Sequence, residues 1–455
     1  TLECQMRKHL WLIGFLIIST TWAKGWKAGV AKVIITPQES VWQAGYASRT
    51  HASEGKLHDL WAKALALEDE TGKKCVLVTT DMLGFPKAMS DRIRTQLNRQ
   101  FGLTHAQIIL NSSHTHSGPV LDDALLDIYP LDANEQAKIN RYSRQLEAQV
   151  IALVGQALKD LEAVELFAQN GVTRFQVNRR NNKEGALREQ TELKGPNDYA
   201  VPVIKALTPK GVLKAIVFGY ACHPTVLDLY QFSGDFPGFA QLELEKAHPE
   251  VTALFFQGAA GDQNPLPRRT VSLARQYGRE LAAAVDRVLE EPMRPLAAAL
   301  KTAYSEIQLP LSAPPTEAEL LKTQNENIPY LKRWATRVLS EMKQGKPFIT
   351  SYSYPLQAWK LGEQSMFIFG GELVIEYAIE CKKRFGQDTF VMAYSNDVMG
   401  YIPSATILKE GGYEGASSQM VYGLPSVWDA SVPDLIYAEV NRLAEQLGIP
   451  KVKNN

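Results

Sequence analysis

The stretch Ala106-Gln107-Ile108-Ile109-Leu110-Asn111-Ser112-Ser113-His114-Thr115-His116-Ser117-Gly118-Pro119 decides how this chain reads. Two of the eight histidines stand two residues apart, directly after an apolar run. The run predicts a packed strand, and Ser-Gly-Pro predicts the turn that stops it. Alternating strand geometry would put both imidazoles on one side of the sheet end, within reach of one cation. The pattern fits equally well one histidine as a ligand and the other as its packing or orienting neighbour.

Three more apolar runs end in the same way. Residues 215–219 lead into Tyr220-Ala221-Cys222-His223-Pro224-Thr225. Residues 251–256 lead into Gln257-Gly258-Ala259-Ala260-Gly261-Asp262-Gln263-Asn264-Pro265, and 365–369 into Gly370-Gly371-Glu372. Polar loops gathered at the ends of buried strands are how an α/β enzyme assembles a site from distant parts of its chain. Further strands are expected at 29–37 and 74–80, and helices at 89–101, 136–163 and 274–289, from their apolar spacing. The expected fold is α/β, with mixed β-sheets flanked by helices. Residues 316–343 are charged and helical in pattern and follow the proline-rich stretch 309–315, which predicts a helical insertion. Residues 372–384 read as a helix carrying Glu372 in its first turn.

The chain has 455 residues, of which 45% are hydrophobic, with 49 basic and 49 acidic side chains. That length can bury a large core. Zero net charge argues against a nucleic-acid partner, since phosphate neutralisation needs a basic excess. Met6-Arg7-Lys8-His9, a short apolar run and Trp22-Ala23 fit a secretory signal over 1–23, starting at Met6. This predicts a secreted or periplasmic protein, the alternative being a retained N-terminal anchor. Four cysteines, one of them in that leader, form no disulfide framework and no Cys-x-x-Cys pair.

Taken together, these segments resemble the neutral/alkaline ceramidase family of zinc-dependent amidohydrolases. The His-Thr-His-Ser-Gly-Pro run is the most distinctive match. His58-Asp59-Leu60-Trp61-Ala62-Lys63, Thr80-Asp81-Met82-Leu83-Gly84, Phe175-Gln176-Val177-Asn178-Arg179, Cys222-His223-Pro224, Gly370-Gly371-Glu372, Gly400-Tyr401-Ile402-Pro403 and Tyr413-Glu414-Gly415-Ala416-Ser417 follow in order. The resemblance implies a Zn2+ ion held by one histidine of the pair, preferentially His114, with His223, Glu372 and Tyr401. His116 would then support the site or touch substrate, and Arg179 would bind a polar group of the substrate. The match implies a ceramidase-like catalytic domain over 24–455, without the family's C-terminal immunoglobulin-like domain. One position departs from the family: Gly261-Asp262-Gln263-Asn264-Pro265 stands where it has Gly-Asp-x-Ser-Pro, so Asn264 replaces a serine and cannot act as a hydroxyl nucleophile.

Two histidines, a glutamate and a tyrosine oxygen suit zinc, with a position left for water. Asp262 is the candidate general base, or else a helix-capping or turn aspartate. Asn264 can donate to a developing oxyanion, or serve only as a turn residue before proline. Asp81 is expected to orient a ligand histidine, Arg180 to be solvated, and Tyr413 and Glu414 to shape the pocket wall. Asp235 is a weaker acid-base candidate, and His58 lies within a family-like segment. The expected activity is cleavage of an amide in an N-acyl lipid or related N-acyl compound by metal-activated water. The partner is then a small-molecule or lipid substrate, reached in transient contact with a membrane surface. The alternatives are a zinc hydrolase of another amide or ester, and a metal-retaining binding protein without turnover.

Overall fold

The computed structural model describes residues 25–453; the expected signal segment lies outside the described residues. A large mixed sheet is built from β1 (Trp26–Ile34), β2 (Trp61–Glu68), β3 (Lys74–Thr80), β4 (Ile108–Ser112) and β5 (Glu162–Val172). Beyond the short β6 (Gln176–Asn178) it continues with β7 (Ala200–Leu207), β8 (Leu213–Tyr220) and β9 (Thr252–Gln257). Its order is β4-β3-β2-β1-β5-β7-β8-β9. β10 (Gln263–Pro265) pairs with β6, and β11 (Arg294–Leu296) with β5. A second sheet runs β12 (Leu300–Pro310), β13 (Ser351–Leu361), β14 (Gln364–Phe369) and, beyond the short β15 (Glu372–Leu373), β16 (Phe390–Met392). β15 pairs in parallel with β17 (Tyr401–Ile402).

The two sheets face each other. Leu65, Ile109 and Leu254 of the first share one buried cluster with Trp359, Met366, Ile368 and Phe390 of the second. The outer face of the first sheet is covered by α1 (Lys87–Phe101) and α2 (Ala133–Lys159) on one half. On the other half lie α3 (Asp235–Ala247) and α4 (Val271–Glu290). Between β12 and β13 the chain forms α5 (Glu317–Gln324) and α6 (Pro329–Lys343). The second sheet's outer face is covered by α7 (Ile375–Phe385) and a last helix, Val432–Leu447. The molecule is thus a helix–sheet–sheet–helix sandwich, the mixed α/β class expected. Burial on both faces explains why β4, β8, β9 and β14 read as unbroken apolar runs.

Several boundaries differ from the sequence reading, the first strand among them, which spans Trp26–Ile34 rather than 29–37. α2 starts earlier, where Asp132 accepts from the Glu135 amide. It also stops at Lys159, so Ala163 belongs to β5. The stretch 316–343 is two helices, because Pro329 opens the second one at its first position. Glu372 lies in β15, not in a helical turn. Gly371 before it has φ +69, which sets it apart from ordinary helix entry, and the Glu372 amide donates to Gly400 O at 2.8 Å. No helix among the described residues is long and apolar enough to cross a membrane.

Candidate metal and hydrolytic site

The C-terminal ends of β4 and β9 are tied together by side chains. Asn111 Oδ1 accepts from the Gln257 amide at 3.1 Å, and Gln257 Nε2 donates to Ser113 O and Cys222 O. Asn111 Nδ2 also donates to Ala393 O at 2.7 Å, joining the second sheet. These buried amides bring four distant loops to one point.

The histidine pair does not work by strand alternation. β4 ends at Ser112, and His114 has φ +65, a left-handed turn. That turn directs its ring inward. His114 Nδ1 lies 2.6 Å from Leu83 O, and His223 Nδ1 lies 2.6 Å from Ala260 O. A carbonyl only accepts, so both rings carry a proton on Nδ1 and leave Nε2 facing the site. Both Nε2 atoms approach the same oxygen: Glu372 Oε2 is 2.9 Å from His223 and 3.2 Å from His114. Burial, with Arg179 nearby, brings His223 down to about 4, so it is neutral at pH 7. The Nε2 lone pair of His223 then meets a carboxylate, with the His114 ring against the same oxygen, an arrangement that a cation between them would relieve.

His116 joins this group rather than standing behind it. The ligating atoms of His114, His116 and His223 lie within 4.8 Å of one another. Both His116 ring nitrogens are buried with no hydrogen-bond partner among the described residues. Its basicity is held well below the usual histidine range by burial and by the two neighbouring imidazoles. Gly45, at φ +105, makes room for the ring, since a Cβ there would lie 2.5 Å from His116 Cγ. The Tyr46 ring packs at 4.8 Å, and Arg49 Nη2 donates to His116 O at 2.9 Å. The donor set and its unpartnered nitrogens fit a metal ion that takes nitrogen and oxygen ligands.

The opposite wall is built around Arg179. Its Nη2 donates to the Tyr401 hydroxyl at 2.9 Å, its Nε to Glu414 at 2.7 Å and its Nη1 to Asn264 Oδ1 at 3.4 Å. Burial opposes the Arg179 charge, but the Tyr401 and Glu414 oxygens outweigh it and hold the guanidinium well above its usual range. Tyr401 is placed beside Glu372 by the β15–β17 bridge, with its hydroxyl 3.4 Å from His223 Nε2. Tyr422 donates to Glu372 Oε1. His114, His116, Glu372, Tyr401, Tyr413 and Tyr422 line one cavity of about 200 Å³. Tyr413 is 43% exposed, which places it at the mouth.

Other expected residues are engaged elsewhere. Asp262 Oδ1 accepts from the Ile375 amide at 2.9 Å and Oδ2 from Asn178 Nδ2 at 3.1 Å. Its carboxyl therefore caps α7 and braces the β6–β10 pair, and burial raises it to about 6. Asp81 accepts from the Trp61 amide and Gln241 and does not orient His114. Backbone carbonyls do that instead. Arg180 is not solvated alone but pairs with Glu410 and Glu414. Asp235 accepts from the Leu227 amide at the start of α3. His58 Nε2 meets Ser233 Oγ at 3.0 Å. Gly45, Tyr46, Arg49 and Tyr422 had no signal in the sequence, because they sit in aperiodic loops that only tertiary folding brings to the histidines.

A family model described as neutral/alkaline non-lysosomal ceramidase, N-terminal, matches residues 26–269. The chain belongs to that family. Among solved structures it resembles one titled a ceramidase complexed with C2, at TM-score 0.72 and 15% identity, over 95% of this chain and 77% of that one. It also resembles the neutral ceramidase of Pseudomonas aeruginosa, at TM-score 0.71 and 16% identity, over 95% and 76% of the respective chains. At that identity the likeness speaks for the fold. No curated protein matches the sequence.

Proposed function

We propose that this chain is a zinc-dependent hydrolase of ceramidase type, exported from the cytoplasm, that cleaves an amide in an N-acyl lipid or related N-acyl compound. The observation that carries the reading is the pair of Nδ1-anchored imidazoles whose Nε2 atoms meet on Glu372 Oε2. His114, His223, Glu372 and Tyr401 would hold the ion, with His116 within reach of the same point. Bound zinc supplies a Lewis acid for a carbonyl and brings the pKa of water to about 7.

The chain's own groups have distinct tasks. Leu83 O and Ala260 O fix the ring orientations. Tyr422 holds the second oxygen of Glu372, which keeps the carboxylate aimed. Burial holds the Tyr401 phenol well above its usual range, and Arg179, donating to its oxygen, partly offsets that. His116 is neutral, without a hydrogen-bond partner among the described residues and in the cavity, so its ring can accept a hydrogen bond from substrate or from a water at the site. Asn264 offers its oxygen to Arg179, which leaves its amide nitrogen as the end that can donate to substrate. Asp262 acts through the loop it braces.

The test is zinc content of the purified protein together with hydrolysis of a short N-acyl sphingosine, for wild type and His223→Ala. Near-stoichiometric zinc and turnover, both lost in the variant, are expected. Full activity in His223→Ala would sink the proposal. A second reading, a metal-retaining binding protein, is favoured by the amide at position 264. Zinc without turnover on a panel of amides and esters would select it.

A further inference from the structure

A second cavity, of about 190 Å³, adjoins the first and shares Leu83, Leu125 and Tyr422 with it. Much of its wall is apolar, with Pro86, Val398, Met399 and Leu424. Lys87 and Asp123 also line it but reach solvent, whereas one charged group of the lining is buried. Asp397 lines the cavity and is only 2% exposed. Its Oδ2 accepts from the Tyr352 hydroxyl at 2.7 Å, and no other donor reaches the carboxyl among the described residues. A buried carboxylate with one neutral donor is under-paired, and such groups call for an explanation. Lys87, which lines the same cavity, does not pair with it: Lys87 Nζ is engaged by Asp91 at 3.4 Å and Glu306 at 3.2 Å. The surroundings are therefore net acidic. Burial raises the Asp397 carboxyl to about 7, as expected for a group short of partners. The backbone holds it in place, since Gly371 N donates to Asp397 O at 2.8 Å, one residue from Glu372.

We propose that the cavity at Asp397 and Tyr352 is a substrate subsite that takes a hydrogen-bond-donating end group, a hydroxyl or a protonated amine, of the compound whose amide is cut at the neighbouring histidines. This rests on the hydrolase reading above and adds a substrate class to it. The ligand spans the two cavities past Tyr422, which touches both. A donor-bearing end completes the carboxyl; a methyl end leaves it bare.

The experiment compares N-hexanoyl amides of alkylamines ending in hydroxyl, ammonium or methyl, with short and long methylene spacers. Wild type is expected to favour one or both donor-ended series over the methyl series by about tenfold in KM. The ammonium and hydroxyl arms show which donor is used. Asp397→Asn and Tyr352→Phe are expected to erase the preference, read within each variant as the ratio of KM between the methyl-ended and donor-ended series. Ala88→Leu narrows the same cavity from its exposed rim without touching the carboxyl and should have the same effect, which covers misfolding of Asp397→Asn. Equal KM for all three series in wild type overturns the subsite and leaves the hydrolase standing. If no amide is cut, the hydrolase reading fails on its own, and ligand-observed NMR with 2-amino-1,3-propanediol decides the subsite. Binding lost in Asp397→Asn and Ala88→Leu supports it, and no binding to wild type overturns it.

Discussion

At the scale of single residues, the substitution that matters most is the amide at 264. A serine there would offer a nucleophile; an asparagine offers a donor. Arg179, which has no acceptor, can bond only the oxygen of that amide, and this fixes its orientation. If the free nitrogen meets the oxyanion, Asn264→Ala should lower kcat by roughly one to three decades, with KM little changed. Asn264→Asp is the sharper probe. It keeps an oxygen for Arg179 but removes the donor and adds charge near Glu372, so it should be slower than the alanine variant. Steady-state kinetics on one amide substrate settle the order, and equal rates in all three proteins demote Asn264 to a turn residue. Arg179→Lys tests the other side of the same contact. Lysine cannot reach Tyr401, Glu414 and Asn264 at once, so both kcat and metal retention during dialysis should fall.

At the scale of elements, the four apolar runs ending in polar loops were legible, because strands buried on both faces leave no polar alternation to confuse them. What was not legible is instructive. His114 and His116 look like strand neighbours, yet the left-handed turn at His114 brings the rings together by another route. Glu372 precedes residues with helical spacing, so it read as helical. Its pairing with Tyr401 is a contact between segments that no local pattern encodes. Likewise the runs announced strands but not two facing sheets, since pairing order is set by long-range packing. The insertion was visible as a segment, but not its role. α6 donates from Arg337 to both Asp127 oxygens, at 3.0 and 2.7 Å, and from Trp334 Nε1 to Leu424 O at 3.1 Å. It thereby clamps the two loops that carry Leu125, Ile128, Tyr129, Val421 and Tyr422 into the cavity at the histidines, and Tyr330 joins them there. Asp127 is 5% exposed, so Asp127→Ala strands a partly buried guanidinium and should cost on the order of 2 kcal/mol. Thermal melts should show the loss, and kinetics a rise in KM larger than the fall in kcat. A KM unchanged in a folded variant would remove the insertion from the substrate wall.

At the scale of the whole molecule, the sandwich concentrates buried acids in the loops that follow its strands. Asp235 after β8 and Asp397 after β16 are pushed up to about 7 by burial, and Asp262 after β9 to about 6. In the unfolded chain each would titrate near 4. Between those values the native state holds more protons than the unfolded one, so these groups favour folding at low pH and lose that contribution as pH rises from about 4 to between 6 and 7. His58, His116 and His223 act in the opposite sense, because burial holds them below the usual range. The unfolded state binds the extra protons there, and stability is lost as pH falls below about 6.5. The two families oppose each other in the same window, so the profile of wild type alone says little. A difference between proteins separates them. Asp235 accepts from the backbone amides of Leu227 and Phe236, with the Arg269 charge acting on it, and is not one of the clustered histidines' bonding partners among the described residues. Asp235→Asn can keep an acceptor for those amides and cannot ionise. With chelator present throughout, the variant should gain stability relative to wild type as pH rises from 5 to 8, by roughly 2.5 kcal/mol. Denaturant midpoints at three pH values measure this gain. A difference that stays constant with pH would mean that Asp235 ionises at its ordinary value, and that water reaches the α3 entrance in solution.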